Sequence, residues 1–233
     1  MAERFDFKTI RVFPYFLLAI FVTSLANVIT VCLAAVMDSG SKLEGPLQST
    51  SGILLTTDIL KYASVVAIFV CLYRIHGVTR WFLVANSMFV GYMVADIMDR
   101  ILWWVCAVSG NYPMVANVAY VSDITTDIFI LLGVCFVLRG IARLYDQMDR
   151  PKAAESVRTS RELWIFAEII SLLISILLIP VEYVVTGSAR VVTMVVLGIC
   201  VFFYLFVVAF VFFKARNFCY DYYMYMYNKG HTR

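Results

Sequence analysis

The sequence predicts an all-α, polytopic membrane protein with six transmembrane helices and both termini cytoplasmic. Three observations lead there. The chain is 62% hydrophobic and only 15% charged over 233 residues, whereas soluble domains run at roughly 45–50% apolar and about 25% charged. It contains six apolar runs, each long enough for the roughly 20 residues that a crossing needs. Fifteen of its nineteen Lys and Arg fall on one predicted side, in the two termini and the alternate links, the bias that orients membrane proteins.

The chain opens with a short cationic segment carrying Arg4, Lys8 and Arg11. Residues 13–37 form the first run, longer than the 7–15 apolar residues of a signal peptide, so it reads as a retained span. Residues 38–51 hold two Gly and Pro46 and read as an exposed loop. The second span, 52–75, places Asp58, Lys61 and Tyr62 at i, i+3 and i+4, on one helix face. Arg74, His76 and Arg80 then mark a turn. The third span, 81–107, carries Asn86 and repeats the charge spacing with Asp96, Asp99 and Arg100. Trp103 and Trp104 follow, where amphipathic rings settle at a membrane interface.

The fourth span, 113–143, carries Asp123 and Asp127 one turn apart. Residues 144–162 form a basic cytoplasmic loop, with Pro151 stopping the preceding helix. Thr159-Ser160-Arg161-Glu162 fits a capping box that opens the next helix. The fifth span, 163–186, sets Glu168, Ser171, Ser175 and Glu182 on one stripe, with Pro180 removing a backbone donor. The sixth span, 191–213, is almost wholly apolar, with Thr193, Cys200 and Tyr204 on one side. The tail, 214–233, is rich in Tyr and Met and reads as an interfacial helix or a disordered end. The whole forms a single transmembrane domain of 1–233 in the plasma membrane.

The charge count sets the orientation. Three basic residues precede the first span, two join spans two and three, six lie from Arg139 to Arg161, and four lie in the tail. The opposite links carry only Lys42 and Arg190. The asymmetry is topogenic, and no basic face with interleaved aromatics stands clear of the bilayer to bind nucleic acid. Six Cys show no CxxC and no ligand spacing, and read as small hydrophobes in helices.

Intramembrane charges are the functional signal. Each costs about 2.5–3.5 kcal/mol on insertion scales, so a bundle turns them inward, pairs them or uses them. Asp58, Asp96, Asp99, Asp123, Asp127 and Glu182 lie at overlapping depths in the outer half of four spans and are the candidate cation- or ligand-binding residues. Lys61 and Arg100 are the candidate pairing bases, Lys61 with Asp58 and Arg100 most simply with Asp96. The acids outnumber the bases, so the remainder must be protonated, hydrated or hold a cation. Glu168, nearer the cytoplasmic face, reads as structural. Carboxylates without His or Cys suit hard ions or protons. They also suit an organic amine, which Tyr62, Trp103 and Tyr120 are placed to line by cation–π contact.

The first functional expectation is therefore a transport or solute-binding protein that handles a cation or cationic small molecule through an outward-facing acidic pocket. It needs no cofactor beyond a bound cation. Its partners are the bilayer, the solute, and a second copy or partner membrane subunit. In size and span count it is similar to the substrate-capturing subunits of energy-coupling vitamin importers, a similarity of format without a shared motif.

The alternatives are an intramembrane enzyme and a non-catalytic accessory subunit. Asp96-x-x-Asp99, followed by Ala119-x-x-x-Asp123-x-x-x-Asp127, resembles the four-aspartate signature of CDP-alcohol phosphotransferases. That resemblance implies a six-helix enzyme using two metal ions. It covers two helices. Arg100 and Ala119 stand where that family has Gly, the following Ala-Arg pair is missing, and the two aspartate pairs are further apart. Its chemistry also belongs at the cytoplasmic face, whereas the charge bias puts these aspartates nearer the outside.

Overall fold

A computed structural model describes the backbone of residues 11–23, 26, 44–75, 77, 79–109, 112–184 and 188–231. Within these it describes the side chains outside 44–55, 103–104, 106–120, 123, 174–198, 201 and 230–231. The elements are all helices: α1 (Arg11–Thr23), α2 (Glu44–Ile75), α3 (Arg80–Ser109), α4 (Tyr112–Gln147), α5 (Pro151–Val184) and α6 (Ser188–His231). Three stretches are long and apolar enough to cross a membrane: Arg80–Leu102, Ile124–Gln147 and Phe202–Lys229. Their outer faces leave large apolar side chains uncovered, Phe202 at 78% and Phe206 at 65% exposure. A surface of that kind fits a membrane-embedded protein.

Helix α4 is the hub, packing on α3, α5 and α6, while α2 leans on α3. Helix α1 lies against α5 and α6, with the Phe21 ring edge-on to Trp164 at 5.2 Å and to Tyr204 at 6.5 Å. The α3–α4 seam rests on Phe-over-Gly contacts in an antiparallel register. Phe82 covers Gly140, Phe89 covers Gly133, and Phe129 covers Gly91. Phe82 and Phe89 are seven residues apart, as are Gly133 and Gly140, so the same face meets the seam two turns later. A Cβ at Gly140 would sit 2.7 Å from the Phe82 ring, so the small residue is what lets the helices approach.

The helix ends follow local chemistry. Thr79 caps α3: its carbonyl accepts from the Phe82 amide at 3.1 Å and its Oγ1 from the Trp81 amide at 3.4 Å. Helix α4 ends in a Schellman arrangement. The Arg150 amide donates to the Tyr145 carbonyl at 3.0 Å and the Asp149 amide to the Asp146 carbonyl at 3.2 Å, with Asp149 left-handed at φ 58°. Pro151 follows at once and opens α5, the first-turn position where its missing amide costs nothing.

Residues 144–162, expected as a loop, are helical except at 148–150, because α4 runs to Gln147 and α5 starts at Pro151. Thr159-Ser160-Arg161-Glu162 is no capping box, because α5 already runs through it. Thr159 and Ser160 instead donate back to the carbonyls of Glu155 and Ser156, at 3.2 and 2.8 Å, as hydroxyls do inside helices. Helix α2 likewise starts at Glu44, inside the segment read as a loop, with Pro46 in its first turn. The helices outrun the apolar spans. At about 1.5 Å per residue, the 36 residues of α4 and 44 of α6 reach about 54 and 66 Å, against a hydrocarbon core of about 30 Å. The tail is thus a continuation of α6, held by buried Phe218, Cys219 and Tyr222 and by a 2.8 Å bond from the Tyr145 hydroxyl to Asp221.

Candidate functional site

The antiparallel pairing of α2 with α3 assembles five of the sequence-predicted residues. Lys61, only 3% exposed, is the centre. Its ammonium lies 2.9 Å from Asp96 Oδ1, 2.8 Å from Asp96 Oδ2 and 3.7 Å from Asp58. The Tyr62 hydroxyl donates to Asp96 Oδ2 at 2.5 Å, and Arg100 bridges to Asp58 at 3.1 Å. Tyr62 therefore joins the cluster mainly through its hydroxyl, although its ring centroid is also 5.2 Å from the Lys61 ammonium.

Arg100 pairs with Asp58 rather than the expected Asp96, whereas Lys61 keeps the expected Asp58 at 3.7 Å and adds shorter contacts to Asp96 across the interface. The reason is register. On antiparallel helices, a step of about one turn forward on α2 matches a step back on α3, so position 58 faces 100 and position 61 faces 96. Lys61 is then nearer Asp96 across the interface than Asp58 one turn back on its own helix. Asp58, Lys61, Asp96 and Arg100 thus bring two acids and two bases together.

Asp99, next to Arg100 on α3, is 8% exposed. Asp127 of α4 is within electrostatic reach of Glu168 on α5 and Tyr204 on α6. Glu168 is 2% exposed and accepts a hydrogen bond from the Tyr204 hydroxyl at 2.8 Å. Among the described residues no Lys or Arg forms an ion pair with Glu168. Fully buried Trp164, one turn away on α5, donates from Nε1 to the Leu131 carbonyl at 3.3 Å and packs against Tyr204. Tyr92 of α3, one turn from Asp96, is also within electrostatic reach of Tyr204. Acidic and phenolic groups thus run from the α2–α3 cluster into the α4–α5–α6 core.

Glu168 and Tyr204 are the functional candidates that sequence reasoning set aside. Their signal was present, since each sits on a polar stripe of its span, but nothing in the sequence faces one stripe toward the other. The side chains of Asp123, Glu182, Trp103 and Tyr120 lie outside the described residues. Among the described residues, no three His, Cys, Asp or Glu side chains come together as metal ligands.

The chain matches no protein-family model, no curated protein and no solved structure.

Proposed function

We propose that the chain is an integral membrane transport or solute-binding protein that takes a cation, in the simplest case a proton, on the buried carboxylates of the α4–α5–α6 core. One observation carries this reading. Glu168 is a carboxyl sealed inside an apolar bundle, held by a tyrosine hydroxyl, with a second carboxylate nearby and no ion-paired base among the described residues. Such a group is expensive in hydrocarbon and persists where it binds or relays positive charge. The Asp58–Lys61–Asp96–Arg100 set then serves as a neutral, hydrogen-bonded cap on one end of the route. Both termini face the cytoplasm in this reading, because the Arg-rich ends of α4 and α5 obey the positive-inside bias. The four-aspartate alternative has less support: Asp96 gives both oxygens to Lys61 and one of them also to Tyr62, leaving little of it for a metal.

The test is cation-dependent thermal stability of the purified protein in detergent, scanned over pH and over Na⁺, Mg²⁺, Ca²⁺ and choline. At least one of these stabilises the wild type, and Glu168→Gln loses that response while remaining folded. No response in the wild type, or an unchanged response in Glu168→Gln, sinks the proposal.

A further inference from the structure

The strongest unused feature lies at the other end of the bundle. An open cavity of about 380 Å³ is walled by Arg80 from the first turn of α3, Arg139, Arg143 and Asp146 from α4, and Arg158 and Arg161 from α5. The spacings place them there. Residues 139, 143 and 146 share one face of α4, and 158 and 161 share one face of α5. Trp81 forms the floor. Its ring stacks on Phe136 at 5.8 Å, and the Arg139 guanidinium lies 3.9 Å from its centroid, so that fork is held in a set orientation. A second cavity of about 360 Å³ adjoins and shares Arg80 and Arg143.

Among the described residues, the charges lining this cavity are not balanced. Asp146 is the one acid in the wall, and Arg158 already holds it at 2.6 Å. Among the described residues, Arg80, Arg139, Arg143 and Arg161 have no carboxylate partner. Guanidinium groups stay charged at any physiological pH. Basic residues that serve orientation alone need only reach the headgroup layer from separate positions. Here three helices turn theirs toward one space.

We infer that this cavity is a binding site for a phosphorylated anion carrying two or more negative charges. A carboxylate would meet one fork and leave most of the positive charge unanswered. A phosphoryl group offers three acceptor oxygens and near-double charge, which suits several forks at once. The ligand is either a soluble phosphate ester or the phosphorylated headgroup of a lipid. The inference is independent of how Glu168 is read.

The experiment is calorimetric titration of the full chain in detergent at physiological salt, with two probes. Inorganic pyrophosphate represents the soluble source and dioctanoyl phosphatidylinositol bisphosphate the headgroup. Saturable binding of pyrophosphate assigns a soluble ligand, and binding of the lipid alone assigns a headgroup. In either case Arg143→Gln weakens it about tenfold or more, the worth of one charge-assisted hydrogen bond. Arg161→Gln, on the facing wall, asks the same question should Arg143→Gln fail to fold. Arg216→Gln, an exposed basic residue of α6 outside the cavity, leaves binding unchanged. Absence of saturable binding to both probes overturns the proposal. So does an equal loss in Arg216→Gln, which would mean diffuse charge attraction.

Discussion

Replacing Lys61 by Met is the sharpest probe of the α2–α3 cluster. The ammonium is buried to 4% side-chain exposure, and its partners Asp58 and Asp96 are at 16% and 14%. Methionine fills nearly the same volume, so the packing term is small and the electrostatic term dominates. Removing one partner of a buried pair strands the other, at a cost of about 3–5 kcal/mol. Asp96 keeps the Tyr62 hydroxyl and Asp58 keeps Arg100, which places the expected loss near the lower figure. Arg100 gives the internal comparison. It also bridges to Asp58, yet its side chain is 45% exposed, so Arg100→Gln costs at most about 1 kcal/mol. The assay is SDS-driven unfolding in mixed micelles followed by tryptophan fluorescence. A Lys61→Met/Asp96→Leu double variant recovers part of the loss, because the stranded charge is gone. Equal losses for Lys61→Met and Arg100→Gln would refute the assigned burial and pairing.

Other perturbations follow from the helix seams and ends. At Gly140 an added methyl meets the Phe82 ring at 2.7 Å, whereas at Gly133 it meets Phe89 at 3.2 Å. Gly140→Ala therefore destabilises by about 1–3 kcal/mol, while in Gly133→Ala the gain in helix propensity, about 1 kcal/mol, offsets the crowding, and melting curves rank the two. Asp149, with φ 58°, occupies a position that glycine accepts without strain. Asp149→Gly raises stability by about 0.5–1 kcal/mol in the same unfolding assay, and Asp149→Val lowers it. The Tyr145 hydroxyl bonds to Asp221 at 2.8 Å, tying α4 to the end of α6. Tyr145→Phe costs about 1.5–3 kcal/mol and increases proteolysis of the α6 end.

Much of the bundle was legible in the sequence, and the misses have physical causes. Apolar runs and caps locate helices, so α3 and α4 begin and end within a few residues of expectation. Helix α5 begins earlier than its apolar run because Ala154, Val157 and Ser160 carry the buried face of Trp164 and Ala167 back beyond the hydrophobic stretch. That three-to-four spacing is visible once amphipathic periodicity is sought beyond the apolar core. Intrahelical spacing put Asp58, Lys61, Tyr62, Asp96 and Arg100 on shared faces, but the crossed partners depend on how far α2 slides along α3, which no residue count along one helix reveals. Glu168 and Tyr204 are 36 positions apart and meet only because α5 and α6 pack together. The arginines were readable as an orientation signal; their convergence on one cavity needed the helix rotations about Trp81.

The most direct measurement of the central claim is cation flux into proteoliposomes, read with an interior dye for protons and for the stabilising metal or amine. The account predicts saturable flux in the wild type, loss of that flux in Glu168→Gln and reduction in Tyr204→Phe, with reconstitution yields unchanged. Wild-type flux in Glu168→Gln would contradict it.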